Sequence, residues 1–243
     1  CPRMATIEPK LVAQTAKELY IRALKVLPPD VKAALARAAE RERHPRAREI
    51  LGVMLKNVEV AETRGLLVCQ DTGTPVYKLR IGRGLAYDGP ALLAAIVEGV
   101  KQATLEHPLR SSVCHPIDRT NPQTNTGHRI PMVDVEFLEE SGYVELKMMP
   151  KGSGSENMSF LKMLAPADGL NGIKRFVLEC VVNAGGKPCP PTLVGIGIGG
   201  TSDLAMKLAK EAIWRPVGSP NPDPAIAALE AELLETINGL GLG

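Results

Sequence analysis

Cys69 stands at the end of an apolar run and is followed at once by polar residues, in the sequence LLVCQDTG (residues 66–73). A structural cysteine usually stays inside an apolar run, where it packs as a small hydrophobic side chain. A thiol at the boundary is available for ligation or nucleophilic chemistry. Gln70 and Asp71, which follow it, could hold a small polar ligand. This stretch is the first candidate site.

Cys189 has a similar context, because GGKPCPPTLVGIG (residues 185–197) places it between turn residues and an apolar run. The flanking prolines restrict the backbone and remove amide donors, which would orient a thiolate. A Cys-Pro pair also occurs in ferredoxin-type iron–sulfur ligation. Two cysteines that merely pack at strand ends explain both contexts equally well. Zinc is disfavoured, because no cysteine or histidine pair has the local spacing of structural zinc sites.

The other cysteines carry less chemistry. Cys180, in FVLECVVNA (residues 176–184), lies on a predicted helix among apolar residues and is expected to fill the core. Cys114 precedes His115, but adjacent residues rarely face each other as an activated thiol requires. Cys1 is expected to be disordered.

Residues 150–164, PKGSGSENMSFLKML, place a glycine-rich stretch before a run with helical spacing, and Ser153 and Glu156 fit a capping box. Free amides at a helix start bind carboxylate or phosphate groups readily. Taken alone, the stretch is more simply a flexible loop before a helix. Arg110, in LRSSV (residues 109–113), becomes a candidate only if the ligand is an anion.

These residues must be positioned by a mixture of helices and strands. Apolar spacing predicts helices through residues 5–64, and helices mixed with strands from residue 65 onward, including a buried strand in PTLVGIGIG (residues 191–199). We therefore predict an α/β fold (mixed α+β), with a helical N-terminal segment (residues 1–64) packed on a mixed-sheet domain (residues 65–243). Residues 107–131 lack periodicity, and loops of this length are usually functional or disordered.

The composition argues against several classes of protein. Lys and Arg total 29 against 27 for Asp and Glu, so the chain lacks the strong positive charge that attracts nucleic acid. Aromatic residues make up 3%, too few for a surface on which bases could stack. No apolar run approaches the roughly 20 residues that span a bilayer. The first residues lack the pattern of a secretory signal, and five cysteines do not suggest a disulfide scaffold. A cytoplasmic protein is expected.

Taken together, the motifs resemble the α subunit of the two-subunit, class I fumarate hydratases. Five blocks carry the resemblance in the same order along nearly the whole chain: CQDTG (69–73), LRSSV (109–113), PKGSGSENMSFLKMLAPADG (150–169), CPPTLVGIGIGGTSDLA (189–205) and RPVGSPNPDP (215–224). The resemblance implies a [4Fe-4S] cluster held by three cysteines, so that residues 65–243 would be an iron–sulfur domain. Cys69 and Cys189 match two of the ligands.

The resemblance also implies an activity, the interconversion of (S)-malate with fumarate and water. Three cysteines leave one iron of the cluster without a cysteine ligand, and this open iron acts as a Lewis acid. The residues that match the dicarboxylate site are Gln70, Asp71, Arg110, Gly152, Ser153 and Gly154, with Asp71 also expected to be catalytic. The family's catalytic base resides in a β subunit. We therefore expect an (αβ)2 heterotetramer, and an α chain that is inactive alone.

The sequence departs from the family pattern in two places. The third cluster cysteine of the family lies C-terminal to the segment that begins NGLGLG, so it is expected outside this sequence. The family's loop NTGDNTP reads NTGHRIP here (residues 125–131), which leaves the role of His128 open.

Two alternatives to the fumarate hydratase prediction follow. The α subunit of L-tartrate dehydratase shares the cysteines and the RPVGS block; PKGSGSEN favours the fumarate enzyme, and NTGHRIP slightly favours the tartrate enzyme. A non-enzymatic anion- or nucleotide-binding domain would use the two glycine-rich helix starts, although GIGIGG (residues 195–200) lacks the dinucleotide-binding spacing.

Overall fold

In the computed structural model, residues 5–242 are described, and they form the mixed α/β fold that the sequence predicts. Cys1 lies outside the described residues. The chain divides into two compact units. The first takes in the chain up to Leu27 together with Asn57–Ser153, and the second takes in Pro28–Lys56 and the chain from Gly154 onward. The domain boundary predicted between residues 64 and 65 stays a prediction, and the units are divided at other positions.

The first unit combines three longer strands with helices. Its elements are β1 (Ala5–Thr6), α1 (Pro9–Lys25), the end of α3 (Pro45–Arg64), β2 (Thr74–Arg83), β3 (Leu85–Ala86), α4 (Gly89–Glu106), β4 (Met132–Ser141) and β5 (Val144–Lys151). Strand β2 is central, with β4 parallel on one side and β5 antiparallel on the other. Although β4 and β5 follow each other in the chain, β2 lies between them.

The alternating pattern of β2 separates an apolar face from a charged one. Tyr77, Leu79 and Ile81 are buried in one core cluster with residues of α1 and α4. On the other face Arg80 pairs with Glu136 of β4 at 3.2 Å and with Glu145 of β5 at 3.0 Å. The parallel β2–β4 pair is joined through α4, which begins at the capping side chain of Asp88.

The second unit is helical in its regular elements. These are α2 (Pro29–Arg41), the start of α3, most of the one-turn helix α5 (Ser153–Glu156), a 3-10 turn (Pro166–Asp168), α6 (Gly169–Ala184), α7 (Ser202–Ala212) and α8 (Pro224–Asn238). The side chain of Asp223 accepts hydrogen bonds from the first free amides of α8. No helix within residues 5–242 is long and apolar enough to cross a membrane.

Two predicted elements of the second unit are wrong. Residues 191–199 form no strand and are not buried: Leu193 is 56% exposed, and no strand of the described chain pairs with the segment. Its glycines instead allow the backbone to lie against α7, because a Cβ on Gly197 would sit 1.9 Å from the Ala205 carbonyl oxygen. The helical run predicted within residues 150–164 amounts to one turn, Ser153–Glu156, and Met163 beyond it is 78% exposed.

Candidate functional site

A polar cavity of about 460 Å³ lies in the first unit. Its lining comes from three segments that are distant in the sequence: Asp71 before β2, Ser153 after β5, and six residues between 110 and 121. Three of the predicted substrate-binding residues, Asp71, Arg110 and Ser153, therefore lie at one cavity.

The carboxylate of Asp71 is held by three hydrogen bonds. Its Oδ1 accepts from the Gly73 backbone N–H at 3.0 Å, and its Oδ2 accepts from the backbone N–H and the hydroxyl of Ser153 at 2.9 and 3.1 Å. Partial burial raises the pKa of Asp71. These hydrogen bonds and the positive charge of Arg110 outweigh the effect of burial, so the pKa of Asp71 is lowered overall. The side chain is therefore an ionised acceptor at neutral pH.

The backbone around Asp71 is fixed from the core of the same unit. Thr72 is completely buried, and its hydroxyl donates to the Arg110 carbonyl at 2.6 Å. The hydroxyl of Tyr20, on α1, donates to the carbonyls of Thr72 and Gly73 at 3.2 and 3.3 Å, and burial raises the pKa of Tyr20 to about 12. These hydrogen bonds fix the backbone next to Asp71 and the backbone of Arg110 relative to each other.

Gly73 occupies a position that a larger residue would not fit. Its φ of +67° is in the left-handed region, and a Cβ there would lie 2.8 Å from the Lys151 backbone nitrogen. This close approach brings the end of β5 beside the Asp71 loop. Ser153, two residues after Lys151, thereby reaches the Asp71 carboxylate.

Two asparagines hold the backbone that carries Arg110. Asn125 has no exposed surface; its Oδ1 accepts from the Ser112 N–H at 2.6 Å and its Nδ2 donates to the Arg110 carbonyl at 3.0 Å. Asn121 accepts from the Ser111 hydroxyl at 2.9 Å and donates to the Ser111 carbonyl at 3.0 Å. The long loop, predicted to be functional or disordered, therefore folds back on itself through the amide groups of the buried Asn125 and the half-buried Asn121.

The other predicted substrate-binding residues lie near this arrangement or outside it. Gln70 is exposed beside Asp71, and a Cβ on Gly152 would lie 3.4 Å from the Asp71 Oδ2. Gly154 belongs to the second unit. The cavity lining found among the described residues includes none of these three. His128 is exposed in a turn closed by reciprocal backbone hydrogen bonds between Gly127 and Ile130.

Cys69 lies in the first unit with a free, exposed thiol. The preceding residues do not form the buried strand that the apolar run predicts, since residues 65–73 have no strand and Leu66 is 51% exposed. The segment is held instead by Val68, whose N–H donates to the Leu24 carbonyl and whose carbonyl accepts from the Asn57 side chain. Leu67, in the same run, is partly buried against the core.

Cys189 lies in the second unit, and its thiol is also free and exposed. Free thiols fit the donor chemistry of an iron–sulfur cluster, which is bound by thiolates. Within residues 5–242 no three His, Cys, Asp or Glu side chains form a metal-binding group. Cys180 is half-buried on α6, where burial raises the pKa of its thiol, as suits a packing role.

Sequence reasoning missed Thr72, Arg119, Asn121 and Asn125, which build or line the cavity. A signal was present in RTNPQTNTG (residues 119–127), because asparagine tolerates the left-handed conformation and bonds locally to backbone groups. No local pattern could indicate that Thr72 bonds to a backbone group 38 residues away.

Comparison with known proteins assigns the family. A family model described as fumarate hydratase (Fumerase) matches residues 13–243. The chain belongs to this family. As a member of the fumarate hydratase family, it is an enzyme of the hydro-lyase class, which excludes the non-enzymatic alternative. The coarse prediction from the sequence blocks is thus confirmed.

Two relatives of this family member are named as tartrate enzymes. A protein of Methanocaldococcus jannaschii, "Putative L(+)-tartrate dehydratase subunit alpha", is 48% identical over 234 residues, covering 96% of this chain and 82% of the relative. The L(+)-tartrate dehydratase subunit alpha of Escherichia coli K12 is 31% identical over 217 residues, covering 89% of this chain and 71% of the relative. Both names describe α subunits.

Proposed function

We propose that this chain is the α subunit of a hydro-lyase that dehydrates L-tartrate, acting with a β subunit. The names of its relatives support tartrate over the malate and fumarate predicted first. The observation that carries the proposal is the cavity in which Arg110 and the fixed carboxylate of Asp71 face the same space. Loss of water from tartrate leaves the enol of a keto dicarboxylate, so substrate and product are both dianions.

Arg110 is proposed to bind a substrate carboxylate. Arg110 lines the cavity, and its backbone carbonyl is fixed by Thr72 and Asn125. A planar guanidinium can pair with a carboxylate through two parallel hydrogen bonds, which fixes orientation as well as position. Because the backbone is already fixed, little backbone entropy is lost when the side chain binds.

Asp71 is proposed to orient the site and to accept a hydrogen bond from a substrate hydroxyl. Its lowered pKa makes it a weak base, so the proton next to the carboxylate is better removed by a group of the β subunit. The sequence-based assignment of Asp71 as catalytic stays a proposal, as do substrate contacts for Gln70, Gly152, Ser153 and Gly154.

Cys69 and Cys189 are proposed to be two thiolate ligands of a [4Fe-4S] cluster. When bound, such a cluster supplies a Lewis acid for the departing hydroxyl. The part of this chain in that chemistry would be to present free thiols and to bind the substrate dianion through its cavity residues. We also propose an (αβ)2 heterotetramer in the cytoplasm, as the resemblance to the two-subunit fumarate hydratases implies.

The test is steady-state kinetics of the α chain co-purified anaerobically with its β partner, using L-tartrate, (S)-malate and fumarate. We expect kcat/KM for L-tartrate to exceed that for malate by about tenfold or more, a difference of roughly 1.4 kcal/mol in transition-state stabilisation. A holoenzyme that neither dehydrates L-tartrate or (S)-malate nor hydrates fumarate would overturn the proposal.

A malate and fumarate enzyme is the second candidate, favoured by the description of the family model. It requires the same cavity and the same carboxylate pairing. The kinetic comparison separates the two candidates, because a higher kcat/KM for malate and fumarate than for tartrate would select the second.

A further inference from the structure

A second arginine, Arg119, lines the same cavity as Arg110 and was not assigned by any sequence motif. It lies in a turn between His115 and Thr120, closed by the backbone N–H of His115, which donates to the Thr120 carbonyl at 2.8 Å. The Asp118 carboxylate accepts from the Thr120 N–H and hydroxyl at 3.0 and 2.8 Å. The turn thus has its own hydrogen bonds and does not depend on the Arg119 side chain.

The backbone of Arg119 adopts an uncommon conformation. Its φ is +63°, and the other non-glycine residues with positive φ in the described chain, Gln123, Asn125 and Arg129, lie in the same loop. Residues with a Cβ pay a conformational cost in this region, so the conformation persists only where the surroundings impose it. Here the imposed conformation places a long cationic side chain at the cavity.

The guanidinium of Arg119 has no acidic partner among the residues that the structure describes. Within residues 5–242 its side chain forms no ion pair or hydrogen bond. Of the cavity residues, Asp71 is the acidic one, and its carboxylate already accepts three hydrogen bonds. The cavity is thus lined by two arginines and a single ionised carboxylate, and this excess of positive charge suits a dianion.

We propose that Arg119 is a substrate-binding residue that pairs with the second carboxylate of the dicarboxylate, while Arg110 pairs with the first. This inference rests on the proposed function. It assigns recognition of a two-ended anion to one loop, because both arginines lie in residues 107–131. A substrate with a single carboxylate would leave one guanidinium without its partner.

The test compares Arg119→Asn with Arg129→Asn in the complete αβ holoenzyme. Asparagine tolerates positive φ, so both variants keep the backbone conformation and lose a guanidinium. Arg129 is a matched control, because it is an exposed arginine of the same loop with a φ of +57° and is not part of the cavity lining found in the described chain. We expect Arg119→Asn to lower kcat/KM for the dicarboxylate by about 10- to 1000-fold, and Arg129→Asn by less than about threefold.

Equilibrium binding provides a readout independent of catalysis. Calorimetry with succinate and with its monoamide, succinamate, measures what the second carboxylate adds to affinity. In the wild type we expect succinate to bind at least about tenfold more tightly, and in Arg119→Asn we expect the two affinities to agree within about threefold. A preference for succinate that survives in Arg119→Asn would overturn the inference, even if the variant turned over substrate more slowly.

The two proposals fail in distinguishable ways. If the wild-type holoenzyme dehydrates no dicarboxylate and binds no succinate, the proposed function fails. If the wild type is active and Arg119→Asn matches Arg129→Asn in both kinetics and succinate preference, the function stands and the role of Arg119 is wrong.

Discussion

Oδ2 of Asp71 accepts hydrogen bonds from both the backbone N–H and the hydroxyl of Ser153, a residue 82 positions later in the chain. The pair joins the segment before the central strand to the segment after its antiparallel neighbour. Because both residues line the cavity, this contact sets the distance between two of its walls.

Asp71→Asn should impair the holoenzyme more than Ser153→Ala does. The asparagine replaces a charged acceptor of three hydrogen bonds, whereas Ser153→Ala removes one hydroxyl and keeps the backbone donor. We expect kcat/KM to fall by roughly 10- to 100-fold in the first and by less than about tenfold in the second, from the ordinary strengths of charged and neutral hydrogen bonds. Equal losses in the two variants would contradict this ranking.

The same carboxylate should contribute an acid-dependent part of the stability. Because the pKa of Asp71 is lower in the folded state than its ordinary value near 4, its stabilisation is complete above about pH 4 and is lost as the pH falls through the lowered pKa. Urea unfolding of the wild type and Asp71→Asn between pH 3 and 7 should show a difference in unfolding free energy that shrinks below pH 4. A difference independent of pH would contradict the lowered pKa.

Gly73→Ala should destabilise the first unit by about 2–4 kcal/mol. The substitution adds the conformational cost of positive φ to a clash with the backbone of residues 150 and 151. Gly142→Ala is the matched control, since its φ is +66° and no atom lies near the added methyl group. We expect Gly142→Ala to lower the free energy of unfolding by about 1 kcal/mol. Thermal unfolding of both variants then isolates the effect of the clash.

Asn125→Gly should loosen the Arg110 segment while preserving the positive φ of residue 125. It leaves the Ser112 N–H and one bond to the Arg110 carbonyl unsatisfied, at a cost of about 2–3 kcal/mol in stability. We also expect KM to rise for the dicarboxylate. Gln123→Gly, with an exposed side chain and a φ of +61°, should leave KM unchanged, and a similar rise in both variants would show that the amide network is not responsible.

Cysteine substitutions should separate ligands from packing residues. In the anaerobic αβ complex, Cys69→Ser and Cys189→Ser should lose the iron–sulfur absorbance, and Cys180→Ser, half-buried on α6, should keep it. Iron and sulfide analysis on the same samples gives the measurement. Full cluster content in either of the first two variants would remove that cysteine from the ligand set.

The spacing of apolar residues predicted the helices and strands that bury one regular apolar face. It failed where burial depends on residues that are distant in the sequence. Alternation in TPVYKLRIG predicted β2, and apolar spacing predicted α4, because each has a regular apolar face in the core. The run PTLVGIGIG looks equally apolar, but two of its glycines lie against α7. Its exposed apolar side chains are Leu193, Val194 and Ile198. Periodicity cannot distinguish these two outcomes.

The cavity was predictable only in part, for a similar reason. Asp71, Arg110 and Ser153 were candidates because the motifs around them resemble those of a family. Arg119 and Asn125 lie in a loop without periodicity, and their positions depend on hydrogen bonds to residues that are close in space rather than in a repeating pattern. The left-handed backbone of that loop has no reliable signature beyond its asparagines.

The sheet order β4-β2-β5 has a consequence for synthesis on the ribosome. Both neighbours of β2 are encoded after it, so about fifty residues must be added before even the first of them begins. At roughly 5–20 residues per second, the apolar side chains of β2 wait several seconds for a sheet partner. Helices α1 and α4 are complete before β4 begins and can cover one face in that interval, while both edges of β2 stay open to chaperones and to other nascent chains.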